Sequence, residues 1–271
     1  METTQLEDSI YRSIETPDGP RMLPSPLAGG PWNPEHQHGG AIAGLLTRAL
    51  ELLESPVPMR LARITIEMFR GVPLRPLRVD TQITRAGRRI QSVEARLYDG
   101  EVLVSRATGL RVRLDDSLPE LCTPDERDPE LGEPPEASSQ LRNDIGFDRV
   151  PGFARAVDIQ TAVATKCGIP ANCWARLRCR FAEGEDTSAI VRLATLVDFA
   201  SGAGNAMDYT KYTSINPDLT IHVLREPRSD WIGIRGTTLR AIDGIGQSFG
   251  HVYDLEGEVA RVQTSLLLEH R

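Results

Sequence analysis

Between Gly39 and Leu53 the apolar residues recur at helical spacing. Ile42, Leu45, Leu46, Ala49, Leu50 and Leu53 stand at i, i+3, i+4, i+7, i+8 and i+11, the stripe of a helix with a buried face. Pro56 and Pro58 predict its end, because proline lacks the backbone donor that a helix interior needs. The period then changes to two. Ile64, Ile66 and Met68 alternate with Thr65 and Glu67; Leu77, Val79, Thr81 and Ile83 form a second run; Val93, Ala95 and Leu97 form a third. Asp99-Gly100 supplies a tight turn into a fourth run from Glu101 to about Val112. Such alternation predicts antiparallel strands with one face against the helix. Ahead of the helix, residues 1–37 are rich in Pro and Gly. They predict a short strand or helix near Ile10 and Tyr11, then loop through Pro24, Pro26 and Pro31.

Residues 114–140 break the pattern. Asp115, Asp116, Pro119, Pro124, Asp125, Pro129, Pro134 and Pro135 make an acidic, proline-rich connector between a unit at 1–113 and a unit at 141–271. Beyond it the first pattern returns. Short strands are expected around Val157–Ile159, Ala175–Phe181 and Ala189–Arg192, then an apolar helix from about Leu193 to Met207, then more strands. Leu219–Arg225 resembles Ile64–Arg70, and Val252-Tyr253-Asp254 resembles Leu97-Tyr98-Asp99, both at an offset of 155; Gly257-Glu258-Val259 resembles Gly100-Glu101-Val102 at 157. This predicts an internal duplication with a two-residue insertion at one hairpin. Each copy reads as an apolar helix followed by a long antiparallel sheet, an α+β unit. Pairing the two sheets edge to edge hides strands that would otherwise be exposed.

Composition narrows the function classes. The chain has 271 residues, a net charge of −7, and aromatics at 5%. An acidic surface disfavours nucleic acid and anionic membrane, and few aromatics leave little for base stacking. No run approaches 18 apolar residues, so no membrane span is expected. The first twenty residues lack the pattern of a secretory signal, which makes the cytoplasm the expected location. Of the four cysteines, Cys167, Cys173 and Cys179 are six apart, a poor spacing for zinc. Reduced thiols, no metal and no organic cofactor are expected.

Some residues carry candidate chemistry. Asp198 sits inside Leu196-Val197-Asp198-Phe199-Ala200, where a carboxylate is costly to bury without partners. Ser201 and Asn205 share its helical face. It is either a general base or a structural acid. Gly39-Gly40 opens the first helix, whose first backbone N–H groups lack intrahelical partners. The pair is either a tight turn or a donor set for a developing oxyanion, and His38 stands beside it. Gln263 lies in the strand from Val259 to Leu268, either orienting a water or serving as an ordinary strand residue. Gly246-Gln247-Ser248-Phe249-Gly250 matches G-x-S-x-G, with Asp254 and His270 downstream. Its flanks alternate as strand, however, and a nucleophile elbow needs a strand-to-helix turn.

Taken in order, His38-Gly39-Gly40-Ala41-Ile42-Ala43, Asp198, Ile215-Asn216-Pro217-Asp218 leading to Arg225-Glu226-Pro227, and Val262-Gln263 resemble the acyl-CoA thioesterase II-like family, which has the double hotdog fold. The resemblance covers nearly the whole chain. It implies hydrolysis of a fatty acyl-CoA or related thioester by direct attack of water. Asp198 would activate the water, and Asn216 and Gln263 would position it. Gly39 or Gly40 would bind the oxyanion, and His38 would touch substrate. The acyl chain would lie between helices and sheets, and a homo-oligomer is implied. One residue departs from the family: Asn216 aligns with the family's Thr or Ser, with Ser214 and Thr213 close by as substitutes under a shifted alignment. That departure leaves a second reading open, a non-hydrolytic acyl-thioester binding protein on the same fold.

Overall fold

The computed structural model describes residues 8–118, 129–134, 152–161, 166–240 and 242–271. Much of the acidic connector, with Cys122, lies outside them. The chain opens with β1 (Ser9–Thr16) and β2 (Gly19–Pro24), then helix α1 (Gly39–Glu51). Four strands follow: β3 (Met59–Met68), β4 (Arg78–Arg85), β5 (Ile90–Asp99) and β6 (Val102–Arg113). The second half begins with β7 (Val157–Thr161), β8 (Ala171–Leu177) and β9 (Arg180–Ala182). Helix α2 (Ala189–Leu196) runs through a 3-10 turn at Val197–Phe199 into α3 (Ala200–Ala203). Then come β10 (Tyr212–Ile215), β11 (Asp218–Val223), β12 (Ile232–Arg240), β13 (Ile245–Asp254) and β14 (Gly257–His270). No helix among the described residues is long and apolar enough to cross a membrane.

One antiparallel sheet carries most of these strands, in the order β4-β5-β6-β3-β11-β14-β13-β12-β8-β7, with β10 also on β14. This is the double hotdog arrangement, two helix-and-sheet units with their sheets joined at β3 and β11. The duplication explains that joint. Thr220 pairs with Thr65, and their hydroxyls lie 3.3 Å apart. Residues separated by 155 therefore meet face to face, and a pseudo-twofold axis passes between them. The offset holds outward from the axis: Arg78 faces Tyr98 as Gly233 faces Tyr253, and Leu97 faces Ser105 as Val252 faces Ala260. Even the register shifts at Leu97/Tyr98 and Val252/Tyr253 correspond.

The two-residue hairpin insertion expected from the sequence is corrected by this register. Asp99 pairs with Val102 and Asp254 with Gly257, so the hairpins are equally long. Matching the Gly-Glu-Val triplets at 157 aligned a shared turn composition at shifted positions. Gln263 therefore corresponds to Thr108. A second correction concerns Ala189–Arg192, expected as strand. Ser188 caps α2 there, its hydroxyl accepting from the Val191 N–H at 3.3 Å. A short apolar run rich in β-branched residues does not reveal its period. A third is the loop expected through Pro24: β2 pairs with β1 up to Pro24, and Pro26 starts a single 3-10 turn, Pro26–Ala28, where its missing N–H costs nothing.

The two helices touch through α1's glycines. A methyl group at Gly44 would stand 2.1 Å from Thr195 Oγ1 and 2.3 Å from Phe181; at Gly40 it would stand 2.4 Å from the Thr195 carbonyl oxygen. Only glycine allows this approach. The close crossing carries the end of α2 to the start of α1.

Candidate active site

Asp198 sits on the 3-10 turn that links α2 to α3 and is 4% exposed. Ser201 donates its hydroxyl to the Asp198 carbonyl at 2.8 Å, beside the Ala200 N–H that the same carbonyl accepts. The carboxylate lies against the first residue of α1. A methyl group at Gly39 would come within 2.9 Å of Oδ1 and 3.0 Å of Oδ2. From the other side, the Asn216 side-chain N–H donates to Oδ1 at 2.7 Å. Asn216 lies in the break between β10 and β11, where the chain leaves the ladder.

His38 completes the cluster. It is the N-cap of α1, with extended backbone (φ −71°, ψ 142°), and its Nδ1 accepts the Gly40 N–H at 3.0 Å. Its own N–H donates to the Ala28 carbonyl at 2.8 Å. The ring stacks on Phe153 at 4.4 Å between centroids and tilts against Phe199 at 5.6 Å. Nδ1 is also 3.2 Å from Asp198 Oδ2. Burial pushes the imidazole below its usual pKa, and the Asp198 charge offsets part of that. The neutral ring accepting from Gly40 carries its proton on Nε2. The Nδ1–Oδ2 contact then places two acceptors together until a proton arrives between them. A proton taken up by Asp198 turns it into an O–H···N hydrogen bond.

The structure thus gathers four of the six residues singled out from the sequence: Asp198, Asn216, His38 and Gly39. Gly40 is beside them, but its N–H is spent on the His38 cap and its Cα is pressed on α2. Its expected part as an oxyanion donor is corrected to one in helix packing. Gln263 is elsewhere. Along β14, Val262, Thr264 and Leu266 are buried, and Arg261, Gln263 and Ser265 are exposed. Gln263 pairs laterally with Thr220 and Phe249 on the outer face. It does not reach Asp198, because a strand residue has only one of two faces. Phe153 and Phe199 were not singled out; its place directly after the buried acid is a signal for Phe199, and Phe153 has no local one.

The G-x-S-x-G stretch is a strand, β13. Ser248 is fully buried and donates to the Ala200 carbonyl at 2.7 Å. Asp254 lies six residues further along, roughly 20 Å at the usual strand rise. There Arg225 grips it with two 2.7 Å hydrogen bonds. Burial pushes the Asp254 carboxyl up, but Arg225 and the backbone N–H groups of Arg228 and Glu256 outweigh this and hold it below the usual range. His270 packs on Tyr212. The three form no triad.

Comparison with known families gives two matches: the acyl-CoA thioesterase N-terminal domain over residues 28–112 and the acyl-CoA thioesterase C-terminal domain over residues 119–267. No curated protein sequence matches the chain. Solved structures share the fold. A putative thioesterase II from Thermobifida fusca is 16% identical with a TM-score of 0.69, over 97% of this chain and 96% of that one. A putative thioesterase from Novosphingobium aromaticivorans is 17% identical with a TM-score of 0.66, over 98% and 100%. The acyl-CoA thioesterase II from Mycobacterium marinum is 16% identical with a TM-score of 0.62, over 86% and 89%.

Proposed function

Because the chain belongs to the acyl-CoA thioesterase family and is a thioester hydrolase, we propose that water attacks the acyl-CoA carbonyl directly under the control of Asp198 and Asn216. The observation that carries this is the Asn216 amide on Asp198 Oδ1 at 2.7 Å, with Gly39 against the same carboxylate. Asn216 has a second N–H and a carbonyl oxygen left to hold a water. Asp198 takes the water proton as hydroxide adds to the carbonyl carbon. The oxyanion faces the Gly39 N–H, a first-turn donor at the positive end of α1. Collapse breaks the carbon–sulfur bond, and the Asp198 proton goes to the departing thiolate. In between, that proton sits on Asp198 Oδ2, facing His38 Nδ1 3.2 Å away.

Single turnover in 18O-labelled water tests the water route. The acid product is expected to carry the label after one turnover. Unlabelled acid in the first turnover would instead mean that Asp198 attacks the carbonyl itself and forms an anhydride. Nothing in the structure or the comparisons favours the non-hydrolytic alternative.

Three finer readings belong to the same proposal. A fatty acyl chain is the expected acyl group, in keeping with the acyl-CoA thioesterase domains that the chain matches. A homo-oligomer is supported by a contiguous apolar patch on the outer face of the second sheet half, where Ile215 and Ile245 flank Leu267 and all three are exposed. A cytoplasmic location is supported by the thiols of Cys167, Cys173 and Cys179, which are unpaired.

A further inference from the structure

A groove of about 830 Å³ opens between the Pro26–Ala28 turn, the end of β8 with β9, and the start of α2. Four guanidinium groups line it: Arg155, Arg178, Arg180 and Arg192. Three carboxylates share the lining, those of Asp8, Asp186 and Asp230, so it is net positive in a chain whose own net charge is −7. The arginines are poorly satisfied. Arg155 has no ion-pair partner among the described residues. Arg180 reaches only the fully exposed Asp186, at 4.0 Å. Arg178 touches Asp158 at 3.5 Å. Arg192 holds Asp230 through Nη1 at 2.6 Å, while its Nε is buried with no partner among the described residues. A buried, unpaired guanidinium N–H is costly, and a cluster of forked donors matches phosphate oxygens.

The groove also adjoins the reacting groups. Arg155 ends the 3-10 turn Gly152–Arg155, whose Phe153 stacks on His38. Leu27 in the groove wall precedes Ala28, whose carbonyl holds the His38 N–H. Arg192 precedes Asp198 by six residues, roughly 9 Å along a helix axis. Leu27, Leu177 and Cys179 give the wall an apolar side; burial pushes the Cys179 thiol up to about 11, so it stays uncharged.

We propose that this arginine-lined groove binds the nucleotide phosphates of the acyl-CoA substrate, with the pantetheine arm passing along Phe153 to bring the thioester to Asp198. The inference deepens the thioesterase reading and rests on it. Arg155 and Arg178 read the phosphates most directly, because they are least committed elsewhere. Arg192, held to Asp230 through Nη1, adds its positive charge to the groove wall.

The test compares an acyl-CoA with the matching acyl-pantetheine, which lacks the nucleotide, in wild type, Arg155→Gln and Arg178→Gln. The expected result is a rise of about tenfold in KM for acyl-CoA in each variant, with the loss confined to the nucleotide-bearing substrate. Equal losses on both substrates, or none on either, would overturn the proposal. Calorimetry with 3′,5′-ADP provides an arm that needs no catalysis. Wild type should bind it, and the variants should bind about tenfold more weakly; a wild type that does not bind it refutes the groove. If no thioester is hydrolysed at all, the parent reading fails, and the 3′,5′-ADP measurement still decides this one.

Discussion

His38 joins two tasks on one nitrogen. Nδ1 caps α1 through the Gly40 N–H and faces Asp198, so the ring's protonation state matters to both. Burial depresses its pKa, while the unfolded imidazole titrates near about 6.5. Between those two values the unfolded chain binds more protons than the folded one. Stability from this group is therefore present above about pH 6.5 and is lost as pH falls through the folded pKa. Thermal melts of wild type should show Tm falling with acidification from about pH 6.5. His38→Phe should lose about 1 kcal/mol at neutral pH with its cap, and its Tm should depend less on pH across that window. At this scale the sequence was most legible where a polar group interrupts an apolar run, as at Asp198. It was least legible at Gln263, because a strand's inward and outward positions alternate and only the tertiary register says which is which.

Elements set the distances between these residues. α1 and α2 approach through Gly40 and Gly44, and this crossing delivers Asp198 to Gly39. Gly44→Ala drives a methyl into Thr195 Oγ1 and Phe181, and overpacking of this kind costs about 1–3 kcal/mol. Urea denaturation should register that loss, and thiol release should fall with it because the helices are pushed apart. Gln263→Ala, on the outer face of β14, is expected to change kcat by less than about threefold, since it removes no group within reach of the reacting atoms. A larger drop would place its side chain at the site after all. The Gly-Gly pair was readable as a helix start, but its use as a contact surface was not. That depends on Thr195, 155 residues beyond Gly40, whose approach no local spacing reveals. The strand misreading at Ala189–Arg192 has a different origin: the Ser188 cap was the local signal, and the β-branched run masked it.

The whole molecule is a duplication whose second copy carries the candidate acid, Asp198. Gly40 and Thr195, 155 positions apart, meet where the helices cross, and the same offset makes the buried Ala43 the counterpart of Asp198. At the sheet offset of 155, the buried Leu61 is the counterpart of Asn216. The first copy thus lacks both the acid and its amide partner. On the same helix, Thr47 Oγ1 is buried with no hydrogen-bond partner among the described residues. Thr47→Val, which keeps the shape and removes the unpaired hydroxyl, should stabilise the chain by about 1 kcal/mol, measured as a higher urea midpoint. The duplication was legible from paired strand sequences, and its axis followed once Thr65 and Thr220 were seen to face each other. Which copy kept the chemistry was legible only as an acid in one helix without an equivalent in the other. If a single carboxylate serves the whole chain, removing it must silence both halves. The most direct measurement is thiol release from an acyl-CoA by Asp198→Asn, which keeps an oxygen for the Asn216 N–H. A fall in kcat of about 100-fold or more, with CoA binding intact, is the expected result. Activity within a few-fold of wild type would contradict the account.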